Sequence, residues 1–275
     1  LATVDEQVNS TNESQSKVSI IIPAYNAGDG IRIAIESILK QSWTNLEVLV
    51  VDDCSTDNTV EIVKEYVEKD TRVQLIQTNE NSGAYVARNH ALRKATGDFV
   101  TINDADDWSH ANEIEVQVNH LLENDHVIAN TSQQARATED LTFYRRGKPG
   151  TYIFANLSSL MFKRKRVMEA LGYWDNVRFG ADGEFKRRLK LVFGKEPVVD
   201  LSTGQYSFQR QSKNSLTGNS AFGYHGFFMG ARKEYFDSYC FYQEQHPDSL
   251  YYPFPQTKRV FPVPEPMWPQ RELKP

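Results

Sequence analysis

Apolar residues come in short runs that alternate with amphipathic stretches through the first hundred positions. Val18-Ser19-Ile20-Ile21-Ile22-Pro23 has the character of a buried parallel strand closed by proline. Residues 30–41 place Ile31, Ala34, Ile35, Ile38 and Leu39 on one helical face, with Asp29 as a cap. A second strand, 46–51, ends at Asp52-Asp53. A helix from Thr56 or Asp57 follows, with Val60, Val63 and Val67 on its apolar side. A strand at 73–76, a helix over 84–95 and a strand at 99–102 complete the series.

Strands and helices alternating at this spacing predict an α/β fold. Its mostly parallel, Rossmann-like sheet carries helices on both faces through right-handed crossovers. Ligands in such sheets bind beyond the carboxyl ends of the strands. The polar clusters fall at those ends: Tyr25 and Asn26 after the first strand, Asp52 and Asp53 after the second, Asn81 and Gly83 after the third. After the fourth comes Asn103-Asp104-Ala105-Asp106-Asp107-Trp108. Ionised carboxylates this close repel one another, and a divalent cation shared with a nucleotide diphosphate relieves the repulsion. A solvated acidic turn opening a helix near Ser109 accounts for the same run, and the run alone leaves both readings open.

Downstream the pattern is less regular. Residues 111–123 predict a helix, 152–162 an extended stretch, and 173–191 a loop followed by a helix. Eight of the 11 prolines lie from Pro247 onward, which disfavours regular structure there and suggests an arm packed across the domain or onto a partner. The expected organisation is a polar tail over 1–16, a main domain over 17–225 and a Pro-rich extension over 226–275. A formal charge of −5 argues against nucleic acid as a partner. The basic run Lys163-Arg164-Lys165-Arg166 fits a solvated helix face or a peripheral contact with an anionic membrane. Two cysteines, Cys54 and Cys240, make no disulfide framework and suit a reducing, cytoplasmic setting, at most the inner face of a membrane. The polar start, which lacks Met, suggests part of a longer multidomain chain.

Taken together, several motifs resemble the inverting nucleotide-sugar glycosyltransferases of family 2, which have the GT-A fold. They are Ile21-Ile22-Pro23-Ala24-Tyr25-Asn26, the helix end at Ser37-Ile38-Leu39-Lys40-Gln41-Ser42, Val51-Asp52-Asp53-Cys54-Ser55-Thr56-Asp57, Asn81-Ser82-Gly83 with Ala87-Arg88-Asn89, and the aspartate run. The resemblance implies that Pro23, Tyr25 and Asp53 hold the nucleobase of a donor and that Asn26 also belongs to the nucleotide site. It gives Gly83 and Arg88 to the nucleotide, Asp104 to the ribose and Asp106 to Mn²⁺ or Mg²⁺. Arg88 could instead serve a structural ion pair. The family's acidic pair corresponds to Gly180-Ala181-Asp182-Gly183-Glu184, where Ala181 replaces the first acid. Asp182 is then the expected general base and Glu184 the fallback, with helix capping as the competing role for Asp182. Arg210 begins a stretch in which Ser212 stands at the family's histidine position, and Arg210 or Lys213 could supply positive charge there. His225 is a candidate extra metal ligand.

The implied activity is metal-dependent inverting transfer from a nucleotide-sugar, expected to be a UDP-sugar, to a glycan or lipid-linked acceptor in polysaccharide or cell-envelope synthesis. A catalytically idle sugar-nucleotide or glycan-binding module is the alternative. A nucleotidyltransferase would need a glycine-rich, lysine-containing loop where Pro23-Ala24-Tyr25-Asn26 stands.

Overall fold

The computed structural model describes residues 16–28, 30–138, 140, 142–144, 149–210 and 229–269. Its first half runs β1 (Val18–Ala24), α1 (Gly30–Leu39), β2 (Leu46–Asp52), α2 (Thr59–Lys69), β3 (Val73–Gln77), α3 (Ala84–Lys94) and β4 (Phe99–Ile102). These are the expected elements, with ends shifted by up to three residues. Asp29, expected to cap α1, lies outside the described residues. The second half runs β5 (Trp108–Ser109), α4 (Glu113–Glu123), β6 (Ala129–Ala137), β7 (Phe143–Tyr144), β8 (Ile153–Ala155), β9 (Met161–Lys163), α5 (Arg164–Ala170), α6 (Ala181–Phe193), β10 (Val198–Arg210) and α7 (Ala231–Gln245).

All ten strands form one sheet in the order β3-β2-β1-β4-β9-β6-β10-β5, with β7 and β8 paired to β6. β1, β2, β3 and β4 are parallel, as buried runs joined by helical crossovers require. The second half is mixed: β10 runs parallel to β6, whereas β9 is antiparallel to both β4 and β6. The stretch expected to be extended breaks at Asn156. Its side chain accepts a hydrogen bond from the Ser158 amide at 3.0 Å and caps a single 3₁₀ turn over Leu157–Ser159.

Alternation along each strand sends side chains to two cores. Ile20, Ile22, Val48 and Val50 meet α1, α2 and α4 through Ile35, Ile62 and Val118. Ile21, Leu49, Val100 and Phe162 meet α3, α6 and α7 through Leu92, Phe185 and Tyr239. The proline-rich stretch contributes Tyr252, Phe261 and Met267 to this second cluster. Arg188 of α6 anchors that contact. It is fully buried, pairs with Glu184 at 2.6 Å, donates to the carbonyls of Leu171, Tyr173 and Leu250, and lies 3.8 Å from the Tyr252 ring centre. No described helix is long and apolar enough to cross a membrane.

Candidate functional site

The carboxyl ends of the parallel strands open into a cleft of about 1090 Å³. Pro23, Tyr25, Asn26, Asp53, Gly83, Arg88, Asp104, Asp106, Asp182 and Arg210 all line it. Ten of the twelve residues singled out from sequence therefore meet in one cavity. Glu184 does not reach it, and His225 lies outside the described residues, as do Ser212 and Lys213.

Asp53 organises one end. It is buried, and its Oδ1 accepts hydrogen bonds from the Ser82 amide (3.1 Å) and the Thr78 hydroxyl (3.0 Å), while Oδ2 accepts from the Gly83 amide (2.6 Å). These donors favour the ionised carboxylate, yet burial still holds it above its ordinary range. Asp53 thus clamps the loop after β3 whatever else it binds. Gly83 sits at φ 91°, open to glycine and strained for other residues. Asn26, at φ 48°, accepts from the Thr56 amide at 2.7 Å and ties the β1 loop to the β2 loop. Tyr25 projects into the cavity and is 42% exposed.

The aspartate run folds as a turn between β4 and β5. Asn103 holds it by donating to the Asp104 carbonyl at 3.0 Å, and Ser109 Oγ in turn donates to Asn103 Oδ1 at 2.7 Å. Each carboxylate has a different environment. Asp104 accepts from Arg88 Nη2 (2.8 Å) and Ser158 Oγ (2.7 Å). Asp107 is buried and accepts from Gln209 Nε2 at 2.9 Å. Asp106 faces the cleft and accepts no hydrogen bond from another described residue's side chain. Desolvation and the Asp104 charge raise Asp106 above the usual carboxylate range. Burial, Asp104 and Asp106 raise Asp107 further still.

The donor set suits a small, hard divalent cation. A carboxylate held above its normal range by an anionic neighbour is relieved by added positive charge. No cluster of three or more ligating side chains exists among the described residues, so these residues alone offer no complete cage. Mg²⁺ and Mn²⁺ match that arrangement, since hard cations of this kind are held by one or two carboxylates together with phosphate oxygens and water.

A second carboxylate enters from α6. Gly180, in the left-handed region, is the N-cap, so Asp182 lies inside the first turn rather than at a capping position. Its Oδ1 accepts from Arg88 Nη1 at 2.5 Å and its Oδ2 from the Tyr85 hydroxyl at 2.8 Å. Arg88 therefore bridges Asp104 and Asp182, and its guanidinium is buried. The structural ion pair considered for Arg88 and its place in the cleft coexist. Ala181 is fully buried within the core, so the acid missing there leaves no gap in the cavity wall.

Glu184 turns the other way. Two residues along a helix is a rotation of about 200°, which takes it from the cleft into the core. There Arg188 and Gln243 Nε2 (2.8 Å) hold it, and burial pushes it up to about 6 against the pull of Arg188. It has no route to a ligand in the cleft.

Another buried acid underlies the aspartate turn. Glu113 opens α4, accepts from Ser132 Oγ at 2.5 Å, and is raised by burial to about 7. Its ordinary value is 4.5, so the folded state retains a proton that the unfolded chain releases. The associated stability is present in full below the ordinary value and is lost as pH rises through the folded one. The change is about 3 kcal/mol. Glu113→Gln is expected to be more stable than wild type at about pH 8 and to lose that advantage near pH 5. Urea midpoints of both proteins at each pH measure the difference, and equal midpoints at the higher pH contradict it.

Sequence motifs did not indicate Tyr85, Arg136, Ser158, Arg178, Gln209 or Arg232, all of which line the cleft. Tyr85 was accessible in principle: it stands three residues before Arg88, on the same helical face. The basic run lies elsewhere. Lys163 pairs with Phe99 at the amino end of β4, on the rim opposite the aspartates. Lys163 is bound to Asp125 at 3.1 Å, and Arg164 donates to the Gly97 carbonyl.

The family model described as Glycosyl transferase family 2 matches residues 19–240. Over 107 residues the chain is 45% identical to the UDP-Glc:alpha-D-GlcNAc-diphosphoundecaprenol beta-1,3-glucosyltransferase WfgD of Escherichia coli, covering 39% of this chain and 42% of that protein. Matches to three other curated relatives cover only 33% to 43% of their length. Among solved structures, S. aureus TarS in complex with UDP aligns with a TM-score of 0.59 at 25% identity, covering 72% of this chain and 61% of that one. The mannosyltransferase PcManGT from Pyrobaculum calidifontis, in complex with GDP-Man and Mn²⁺, shares the fold with a TM-score of 0.55 at 22% identity, over 80% of this chain and 61% of that one.

Proposed function

Because the chain belongs to glycosyl transferase family 2 and is a glycosyltransferase of the GT-A fold, we propose that it is a divalent-metal-dependent, inverting enzyme. It takes a sugar from a UDP-sugar to a glycan or lipid-linked acceptor of the cell envelope. The observation that carries this reading is the meeting of Asp53, Asp104, Asp106 and Asp182 in one cleft from separate loops and a helix. The UDP complex of TarS and the diphosphoundecaprenol acceptor in the name of WfgD support the choice of donor and acceptor.

Tyr25 and the loop clamped by Asp53 receive the base, Asp104 the ribose, and Asp106 holds Mn²⁺ or Mg²⁺. When bound there, the cation would supply positive charge to the departing nucleoside diphosphate. Arg88 and Arg210 add positive charge around the same group. Asp182 uses two of a carboxylate's roughly four acceptor positions on Tyr85 and Arg88, and the others remain for an acceptor hydroxyl. As the acceptor oxygen bonds to the anomeric carbon, its proton passes to Asp182. The carbon–oxygen bond to phosphate breaks, and its electron pair leaves with the diphosphate. A single displacement of this kind inverts the anomeric centre. Tyr85 and Arg88 hold the carboxylate in one orientation, which is their contribution to the step.

Thermal denaturation with UDP tests the donor site. UDP with Mn²⁺ is expected to raise Tm, and UDP with a chelator to raise it less, since a ligand bound only to the folded state stabilises that state. An equal rise with and without the cation speaks against metal dependence, and no rise under either condition against the donor assignment.

A further inference from the structure

Residues 171–180 join α5 to α6 and lead into Asp182. The polar groups of such a connection need partners wherever it is buried, and two parts of the chain supply them. One is α3, through Asn89, the residue after Arg88. Asn89 is fully buried. Its Oδ1 accepts from the Trp174 amide at 3.0 Å, and its Nδ2 donates to the Trp174 carbonyl and to Asn176 Oδ1, both at 2.9 Å. The other is the proline-rich stretch after α7. Tyr252 exchanges backbone hydrogen bonds with Leu171 and Tyr173, each at 2.9 Å. The approach is close enough that a Cβ on Gly172 would collide with the Tyr252 carbonyl oxygen.

Further along the stretch, Gln256 Oε1 accepts from the Asn176 amide at 3.1 Å. Arg259 holds two groups at once: Nη2 donates to the Asn176 carbonyl at 2.6 Å and Nη1 to Asp175 Oδ1 at 3.2 Å. Asp175 is fully buried, and its Oδ2 accepts from the Tyr235 hydroxyl at 3.0 Å. The Met267 carbonyl then accepts from the Arg178 amide at 2.9 Å. These contacts follow the connection from Leu171 to Arg178, two residues before the N-cap of α6 at Gly180. Asp182 lies in the first turn of that helix, so the point where α6 begins sets where its carboxylate stands against Arg88. A small displacement of a reacting group costs rate even when the fold survives. Gln256, Arg259 and Met267 do not line the cleft, and all three lie beyond residue 240, where the family match ends.

We propose that the proline-rich stretch is a positioning element of the enzyme: Gln256 and Arg259 fix residues 174–178 and thereby hold Asp182 in register with Arg88. This rests on the role proposed for Asp182. Gln256 and Arg259 are positioning residues, acting through Asp182 from outside the cleft.

The test compares the full chain with Arg259→Ala, Arg259→Lys and Gln256→Ala. Arg72→Ala is the control, since Arg72 binds Asp70 and does not line the cleft. Release of UDP from UDP-glucose and UDP-N-acetylglucosamine, with Mn²⁺ and water as acceptor, gives kcat and KM. Arg259→Ala is expected to lower kcat about tenfold or more while the donor KM stays within about twofold. Gln256→Ala should lower kcat less, Arg259→Lys should recover part of the loss because an ammonium can replace one arm of the fork, and Arg72→Ala should leave kcat unchanged. Amide hydrogen exchange of the ligand-free proteins supplies a readout independent of turnover. Arg259→Ala should speed exchange over residues 174–183 about tenfold and leave residues 99–109 as in wild type. Unchanged exchange over 174–183, or an unchanged kcat, overturns the inference. So does faster exchange spread equally over both segments, which marks a general loss of stability. An unchanged UDP-dependent rise in Tm shows each variant to be folded, and Arg259→Lys and Gln256→Ala carry both readouts if Arg259→Ala is not. No release of UDP by wild type counts against the proposed function instead, and the exchange comparison then decides whether the stretch fixes residues 174–178.

Discussion

Asp106→Ala is expected to abolish glycosyl transfer, by about a thousandfold or more, and to remove the cation-dependent part of UDP binding. Asp106 is the carboxylate of the turn that accepts no hydrogen bond from another described side chain, whereas Asp104 accepts from Arg88 and Ser158, and Asp107 from Gln209. Replacing it removes the carboxylate of the run least engaged by its described neighbours, which is the one proposed to hold the cation. The variant should not be less stable without ligand, because Asp106 is among the charges that raise Asp107, and its loss relieves repulsion. Calorimetric titration of UDP with and without Mn²⁺, together with the Tm of each ligand-free protein, measures both effects. A variant that keeps the Mn²⁺-dependent gain in affinity rules out Asp106 as the metal ligand.

Asp182→Asn should lower kcat/KM by about 10²–10⁴, the range over which a positioned general base acts, while leaving Mn²⁺-dependent UDP affinity close to wild type. Asparagine preserves shape and one acceptor oxygen, so the Tyr85 hydroxyl or Arg88 keeps a partner. Alanine would leave both donors facing the gap and would mix a stability loss into the rate. Initial rates from a UDP-sugar panel, alongside UDP titrations, separate the two contributions. Loss of nucleotide binding in parallel with activity would place Asp182 on the donor instead of the acceptor.

Much of the cleft's lining was legible in the sequence because it lies in loops after short apolar strands. Strand ends mark the rim, and Asp53, Gly83 and Asp104 follow such ends within a few residues. The residues that support and wall the cleft were not, for physical reasons. Ser158 reaches Asp104 only because Asn156 caps a single 3₁₀ turn inside an apolar stretch with no periodic signal. Gln209 meets Asp107 through the pairing of β10 with β5 and β6, across 102 positions of sequence. Glu184 looked as available as Asp182, yet the helical rotation between them separates cleft from core. The wall formed by α7 comes from residues 231–245, whose sequence carries no local pattern to announce it.

The bridge made by Arg88 bears on how such an enzyme can be re-engineered. One cation from α3 serves carboxylates on both sides of the cleft, so neither side is an independent cassette. A chimera that imports another protein's α6 segment to change the acceptor also alters the charge balance felt by the residue expected at the ribose. Successful grafts should carry α3 and α6 as a matched pair, and laboratory selection for a new acceptor should accumulate compensating changes around Tyr85 and Arg88.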